Sequence, residues 1–237
     1  MSFLILIRHG QSVWNLENKF TGWVDVDLTE QGKLEAKKAG FLIKDKGIKI
    51  NHYYSSFQLR ANNTLKIIQK ILDTKENFTR AWQLNERHYG DLTGLNKIEM
   101  SQKIGEKEVH RFRRSWDLRP DPLSKKSPYH PINIKTYEKI PKENIPDTES
   151  LKDTYKRVLK FYKEEIQEKL IDKNILISAH GNSIRAMCKY LFDLDNDKIS
   201  SLEIPTGNPL IIELDKEIKI KSCEYLDKKR SKDLLIF

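Results

Sequence analysis

Two apolar runs end in the residues most suited to chemistry. "LILIRHG" leads into Arg8, His9 and Gly10, and "NILISAHGN" leads into His180, Gly181 and Asn182. An imidazole is a competent nucleophile near neutral pH, because its unperturbed pKa of about 6.5 leaves much of it unprotonated. Paired histidines can also hold a metal. Metal-binding histidines, however, usually have companions at short spacing such as HExxH, and Arg8 beside His9 would repel a cation. A serine nucleophile fits no better, since "GQSVW" lacks the second glycine of GxSxG. A guanidinium next to an imidazole makes sense if the ligand is phosphate, whose oxygens arginine binds through paired hydrogen bonds. Arg60, in "YYSSFQLRANNT", and the loop "LNERHYGDLTGLNK", with Glu86, Arg87, His88, Tyr89 and Lys97, extend this set. A carboxyl group there suits general acid–base work on a hydroxyl acceptor.

The elements that must position these residues alternate along the chain. Phe3–Ile7 reads as a strand. Thr29 reads as the cap of a helix through Ile43, with Leu34, Ala39 and Leu42 on its apolar face and Gly47 just beyond. "HYYSS" at 52–56 is a second strand, followed by a helix from Phe57 to Leu72 and a strand over Thr79–Leu84. The longest helix is expected from Thr148, with Leu151, Tyr155, Val158, Leu159, Tyr162, Ile166 and Leu170 on one face. "NILISA" at 174–179 is a strand, residues 182–192 a helix, and "LIIEL" with "EIKIKSCEYL" a hairpin. This alternation predicts an α/β fold, a mostly parallel central sheet with helices on both faces. In such sheets ligands bind beyond the carboxyl ends of the strands, so His9 and His180 share one crevice if their strands are neighbours. The glycine after each histidine would let backbone approach a ligand closely. Between 95 and 148 the rhythm breaks, and the six prolines within 119–146 mark an irregular insertion covering the site. Residues 1–237 are read as a single domain carrying that insertion.

Composition narrows the function classes. With 38% hydrophobic and 32% charged residues, the chain has material for a core and for a soluble surface. No apolar stretch approaches the roughly 18–20 residues of a membrane span, and Phe3–Ile7 is too short and lacks the basic start of a signal peptide. A cytoplasmic protein without membrane partners is expected. Two cysteines give no disulfide framework, and Cys188 in "SIRAMCKYLF" reads as a core residue. The net charge of +9 attracts anions and says no more, because most of the charges alternate with acids along helices.

The chain resembles the cofactor-dependent phosphoglycerate mutases of the histidine phosphatase superfamily. The likeness runs through "LIRHGQSVWN", "TGW", "LNERHYG", "TGLNK", "FRRSWD", "TESLKDT", "AHGNSIRA" and "PTGNP". It implies that His9 becomes phosphorylated, that Arg8, Arg60 and His180 surround the transferring phosphoryl group, and that Glu86 donates and accepts the proton. Ser12, Asn15, Thr21 and Gly22 would line the substrate. Arg87, Tyr89, Lys97, Arg113, Arg114, Gly181 and Asn182 would hold the carboxylate and second phosphate. The implied reaction is 3-phosphoglycerate to 2-phosphoglycerate, with 2,3-bisphosphoglycerate as primer and intermediate and no metal. The partners would be small phosphorylated three-carbon acids, and the assembly is open between a homodimer and a higher homo-oligomer. Gln11 and Leu59 depart from the family pattern, as does the short tail "LDKKRSKDLLIF", whose Leu234–Phe237 are expected to dock on the body.

Several residues have blander readings. His88 packs in its loop, and His52, His110 and His130 are surface or loop residues. The four tryptophans are core or loop anchors. Arg111–Arg114 with Phe112 and Trp116 could form a nucleic-acid patch of cations and stacking rings, but such a module needs no second His-Gly strand end, so no nucleic acid is expected. A histidine phosphatase for another sugar or nucleotide phosphate stays open, as does a catalytically idle anion-binding protein.

Overall fold

The computed structural model describes residues 1–235. In chain order these form β1 (Ser2–Arg8), α1 (Val13–Leu16), α2 (Glu30–Asp45), β2 (His52–Ser55), α3 (Leu59–Ile71) and β3 (Thr79–Arg80). Then come α4 (Lys97–Ile104), α5 (Glu106–Arg114), α6 (Leu151–Phe161), β4 (Ile175–Ala179), α7 (Gly181–Leu191), α8 (Asn196–Ser201), β5 (Leu210–Leu214) and β6 (Ile220–Tyr225). The strands make one sheet in the order β3-β2-β4-β1-β5-β6. The first four pair in parallel, and β5 and β6 add an antiparallel hairpin at one edge.

Period-two alternation explains why both faces of this sheet are covered. Leu4 and Leu6 of β1 face one core, packed with Val158 and Phe161 of α6 and Ile184 and Met187 of α7. Ile5 and Ile7 face the other, against Ala39 and Ile43 of α2 and Leu65 and Ile68 of α3. Each such side chain taken fully out of water contributes about 1.5–3 kcal/mol. Cys188 lies in the first core, as expected.

Some expectations need correction. Leu34 is exposed, and the buried face of α2 is formed by Gly32, Ala36, Ala39, Gly40 and Ile43. The strand expected over Thr79–Leu84 stops at Arg80, because its partner β2 ends at Ser55; a 3-10 turn then drops Leu84 into the core. The long helix starts at Leu151, capped by Ser150, and leaves α-helical geometry after Phe161. A π turn covers Tyr162–Ile166 and a 3-10 turn Glu168–Ile171. Steps of four residues drift about 40° each around an α-helix, so Val158, Tyr162, Ile166 and Leu170 would wander off the core. The wider π turn absorbs that drift and keeps all four buried.

The insertion is less irregular than its prolines suggest, since it opens with α4 and α5. Its remainder is packed in place. Tyr137 hydrogen-bonds Trp23 O and forms a small cluster with Trp23 and Ile140, and Thr148 Oγ1 donates to Pro120 O at 2.7 Å. At the other end of the chain, Leu234 and Leu235 pack against the first core. Ile236 and Phe237, the rest of the expected dock, lie outside the described residues. No described helix is long and apolar enough to cross a membrane.

Candidate active site

The parallel register of β1 and β4 pairs Arg8 with Ala179, so His9 and His180 follow side by side, with ring centroids 5.0 Å apart. The backbone N–H of His9 donates to Ala179 O at 3.0 Å. Its Nδ1 lies 2.7 Å from Gly10 O, which can only accept, so the ring proton sits on Nδ1 and Nε2 keeps its lone pair. Arg60 Nε donates to that Nε2 at 3.3 Å. Burial, then Arg60 and Arg8, hold the His9 pKa well below the ordinary histidine value, so the ring is neutral at neutral pH. Burial, Arg60, His9 and Arg8 do the same to His180, whose Nε2 is 2.7 Å from Ser56 Oγ.

Gly10 proves to serve a purpose other than ligand approach. A Cβ there would sit 2.1 Å from Gly32 O, so the glycine lets the His9 loop pack against the first turn of α2. Gly181 matches the expectation better, because a Cβ would point into ordinary contact with Arg8 and Glu86.

Arg60, in the first turn of α3, is buried and pinned by Nη1 to Val24 O and Nη2 to Gly22 O, both at 2.9 Å. Gln58 precedes α3 without capping it. Its Nε2 donates to Gly22 O at 2.8 Å and its Oε1 accepts from Glu86 N at 2.9 Å, bracing both loops. Glu86 Oε1 accepts from Arg87 N at 2.8 Å and from Asn182 N, in the first turn of α7, at 3.1 Å. Behind it, Arg157 of α6 donates to the carbonyls of Gln83, Asn85 and Glu86 and pairs with buried Glu149 at 2.7 Å. Nothing local in the sequence marks Gln58, Glu149 or Arg157, because their partners are remote in the chain.

These residues line a cleft with two lobes. The inner lobe, about 70 Å³, is walled by His9, Asn15, Lys19, Thr21, Gly22, Arg60 and Lys97. The outer lobe, about 300 Å³, has Arg114, Gly181, Asn182, Arg185, Glu203 and Lys232 in its wall. Arg8, Glu86, Tyr89 and Arg113 line both. Burial, with Arg113 and Arg8 nearby, lowers Lys97 to about 8, and burial, with Arg114 and Arg87, lowers Arg185 to about 9. Buried Arg8 Nε has no hydrogen-bond partner among the described residues. Cations crowded this way, with donors to spare, call for an anion.

Three expected site residues lie outside the lobe walls. Ser12 is buried and caps α1, accepting from Asn15 N at 3.3 Å, so it orients Asn15 instead of facing the cleft. Arg87 lies fully buried against the Tyr89 ring, 4.6 Å from its centroid, and donates to Phe112 O. His180 stands behind His9. Lys19, Arg185, Glu203 and Lys232 are the converse case, cleft residues that sequence reasoning missed, since each looks locally like an ordinary solvated charge.

The blander readings fare as follows. His88 does pack in its loop: its Nδ1 accepts from Gly90 N at 2.9 Å, and burial, then His130, lowers it to about 3. His130 is a loop residue but a buried one, bonded to Asp147 at 2.9 Å. Phe112 packs with Phe20, Leu92 and Val109, and Trp116 stacks edge-on with Tyr155, so neither ring is free to stack on a base. Among the described residues no group of three or more His, Cys, Asp or Glu could hold a metal.

Comparison with known proteins agrees with this geometry. The profile of the histidine phosphatase superfamily (branch 1) matches residues 4–131 and 130–220. A 2,3-bisphosphoglycerate-dependent phosphoglycerate mutase of Pelagibacter ubique is 69% identical over 238 residues, covering all of both chains. One from a Caulobacter species is 49% identical, covering 99% of this chain and 98% of the relative. Among solved structures, a mycobacterial glucosyl-3-phosphoglycerate phosphatase is similar at TM-score 0.69 and 19% identity, covering 95% of this chain and 98% of that one. Bacillus stearothermophilus YhfR is similar at TM-score 0.68 and 22% identity, covering 93% and 94%. At such identities these two likenesses concern the fold alone.

Proposed function

The chain belongs to the histidine phosphatase superfamily, and from that premise we propose that it interconverts 3-phosphoglycerate and 2-phosphoglycerate through phosphorylated His9. The observation that carries this reading is the two-lobed cleft. A substrate with two anionic arms needs a reacting lobe at His9 and a second cationic lobe, joined by shared residues, and Arg8, Glu86, Tyr89 and Arg113 are shared here.

His9 Nε2, unprotonated and released by Arg60 Nε as phosphate oxygens take over that donor, takes a phosphoryl group as an N–P bond forms and a P–O bond breaks. Bound 2,3-bisphosphoglycerate would supply that group as primer, with Glu86 protonating the oxygen that leaves; Arg8 and Arg60 would hold it inside and Arg113, Arg114 and Asn182 outside. Glu86 then takes the proton of the 2-hydroxyl of 3-phosphoglycerate while that oxygen attacks phosphorus and frees Nε2. After the bisphosphate turns round, Nε2 takes the 3-phosphoryl group and Glu86 returns the proton to the leaving oxygen. Arg8 and Arg60 are fixed before reaction, so they stabilise charge on the equatorial oxygens without reorganising. His180 holds its place behind His9 through Ser56. The chemistry runs on side chains alone, in a cytoplasmic enzyme acting on small phosphorylated acids.

The test is formation of 2-phosphoglycerate with and without 2,3-bisphosphoglycerate, together with labelling by the primer. Turnover should depend on the primer and leave an acid-labile label that His9→Ala abolishes. A label persisting in His9→Ala, or hydrolysis without isomerisation, overturns this reading.

A further inference from the structure

The outer lobe contains an anion of its own. Glu203 lies between α8 and β5 with its side chain half exposed, and apart from shared Glu86 it is the one carboxylate in that wall among the described residues. Its Oε1 is 3.1 Å from Arg114 Nη2, and its Oε2 is 3.5 Å from Lys232 Nζ. Among the described residues, Arg8, Arg113 and Arg185 make no such ion pair, so Arg114 is the lobe's one guanidinium already neutralised by a carboxylate.

Two further contacts show what the pair does not do. Arg114 Nη1 donates to Leu202 O at 3.1 Å, an anchor to main chain that is independent of the carboxylate. Arg185 Nη2 donates to Arg114 O at 3.1 Å and so fixes the main chain from which that guanidinium extends. The guanidinium is therefore positioned without Glu203. Lys232, on the exposed tail, gives the carboxylate a second partner, so releasing Arg114 leaves no charge stranded.

We propose that Glu203 sets the affinity of the outer lobe by competing with the substrate's distal anion for Arg114. The proposal rests on the mutase reading. Glu203 pairs with Arg114; an incoming phosphate or carboxylate displaces it, and Glu203 stays with Lys232. The competition weakens ground-state binding at a lobe whose other three guanidiniums make no ion pair among the described residues, which favours release of a multiply charged product. A residue that merely positioned Arg114 would have the opposite effect, because removing it would weaken binding.

The sign of the effect is therefore the test. Calorimetric titration with 3-phosphoglycerate, without primer so that nothing turns over, is run on the full chain and on Glu203→Gln and Glu203→Ala. Steady-state turnover with primer is measured alongside. Both variants should bind more tightly, with Kd and KM lower by about two- to fivefold, the size an exposed ion pair supports, and with kcat unchanged or lower. Unchanged or weaker binding in both variants, with normal turnover by the natural chain, overturns this inference and leaves the mutase reading standing. A natural chain that neither binds nor converts 3-phosphoglycerate overturns both.

Discussion

Gly10 O accepts but cannot donate, so its contact with His9 Nδ1 holds the proton there and directs Nε2, with its lone pair, toward Arg60 and the inner lobe. The burial, reinforced by nearby cations, that keeps His9 neutral also acts on Lys97. There it has a measurable consequence, because a lysine lowered to about 8 loses its charge within the working range of many assays. A lysine is charged below its pKa, so its attraction for the substrate is present under neutral conditions and fades as pH rises through about 8. We expect KM for 3-phosphoglycerate to climb above pH 8 in the natural chain while kcat changes less. In Lys97→Arg the charge persists, and the alkaline rise should flatten. A pH profile of KM identical in the two proteins would place the titrating group elsewhere.

Among the elements, the contact of the His9 loop with α2 is the tightest constraint on the site. Cβ atoms would meet backbone at 2.1 Å on Gly10 and at 2.0 Å, against Gln11 O, on Gly32. Helix propensity alone favours Gly32→Ala by about 1 kcal/mol. Overpacking against backbone costs about 1–3 kcal/mol or more and should prevail. We therefore expect Gly32→Ala to lower the denaturation midpoint and to slow phosphorylation of His9, although Gly32 lines neither lobe. A variant more stable than the natural chain would show that the loop and helix can separate at little cost. The π turn after α6 acts at the same scale, since it keeps Tyr162, Ile166 and Leu170 in the core.

Across the whole molecule, His9, His88 and His180 are buried with pKa values lowered chiefly by desolvation. On unfolding each regains an ordinary value near 6.5 and takes up a proton in mild acid, so the unfolded state binds more protons than the folded one. Stability should then fall as pH drops below about 6.5, by up to about 1.4 kcal/mol per pH unit for each histidine, continuing toward pH 3 for His88. Urea denaturation at pH 7 and pH 5 checks this, and equal stability at both would show that the three rings are protonated in the folded state. The alternation of strands and helices, the two His-Gly strand ends and the cationic loops can be read from the chain alone, because each is written in residues close together in it. His9, Arg8, Arg60, Glu86 and Lys97 were legible for that reason. Folding in three dimensions sets β4 between β2 and β1, which brings His180 beside His9. It also placed Gln58, Arg157 and Glu149 behind the loops, set Arg185, Glu203 and Lys232 in the outer lobe, and withdrew Ser12 and Arg87 from the cleft. Their partners lie far away in sequence, and a charged side chain on a helix looks the same locally whether it meets water, a remote carbonyl or a substrate.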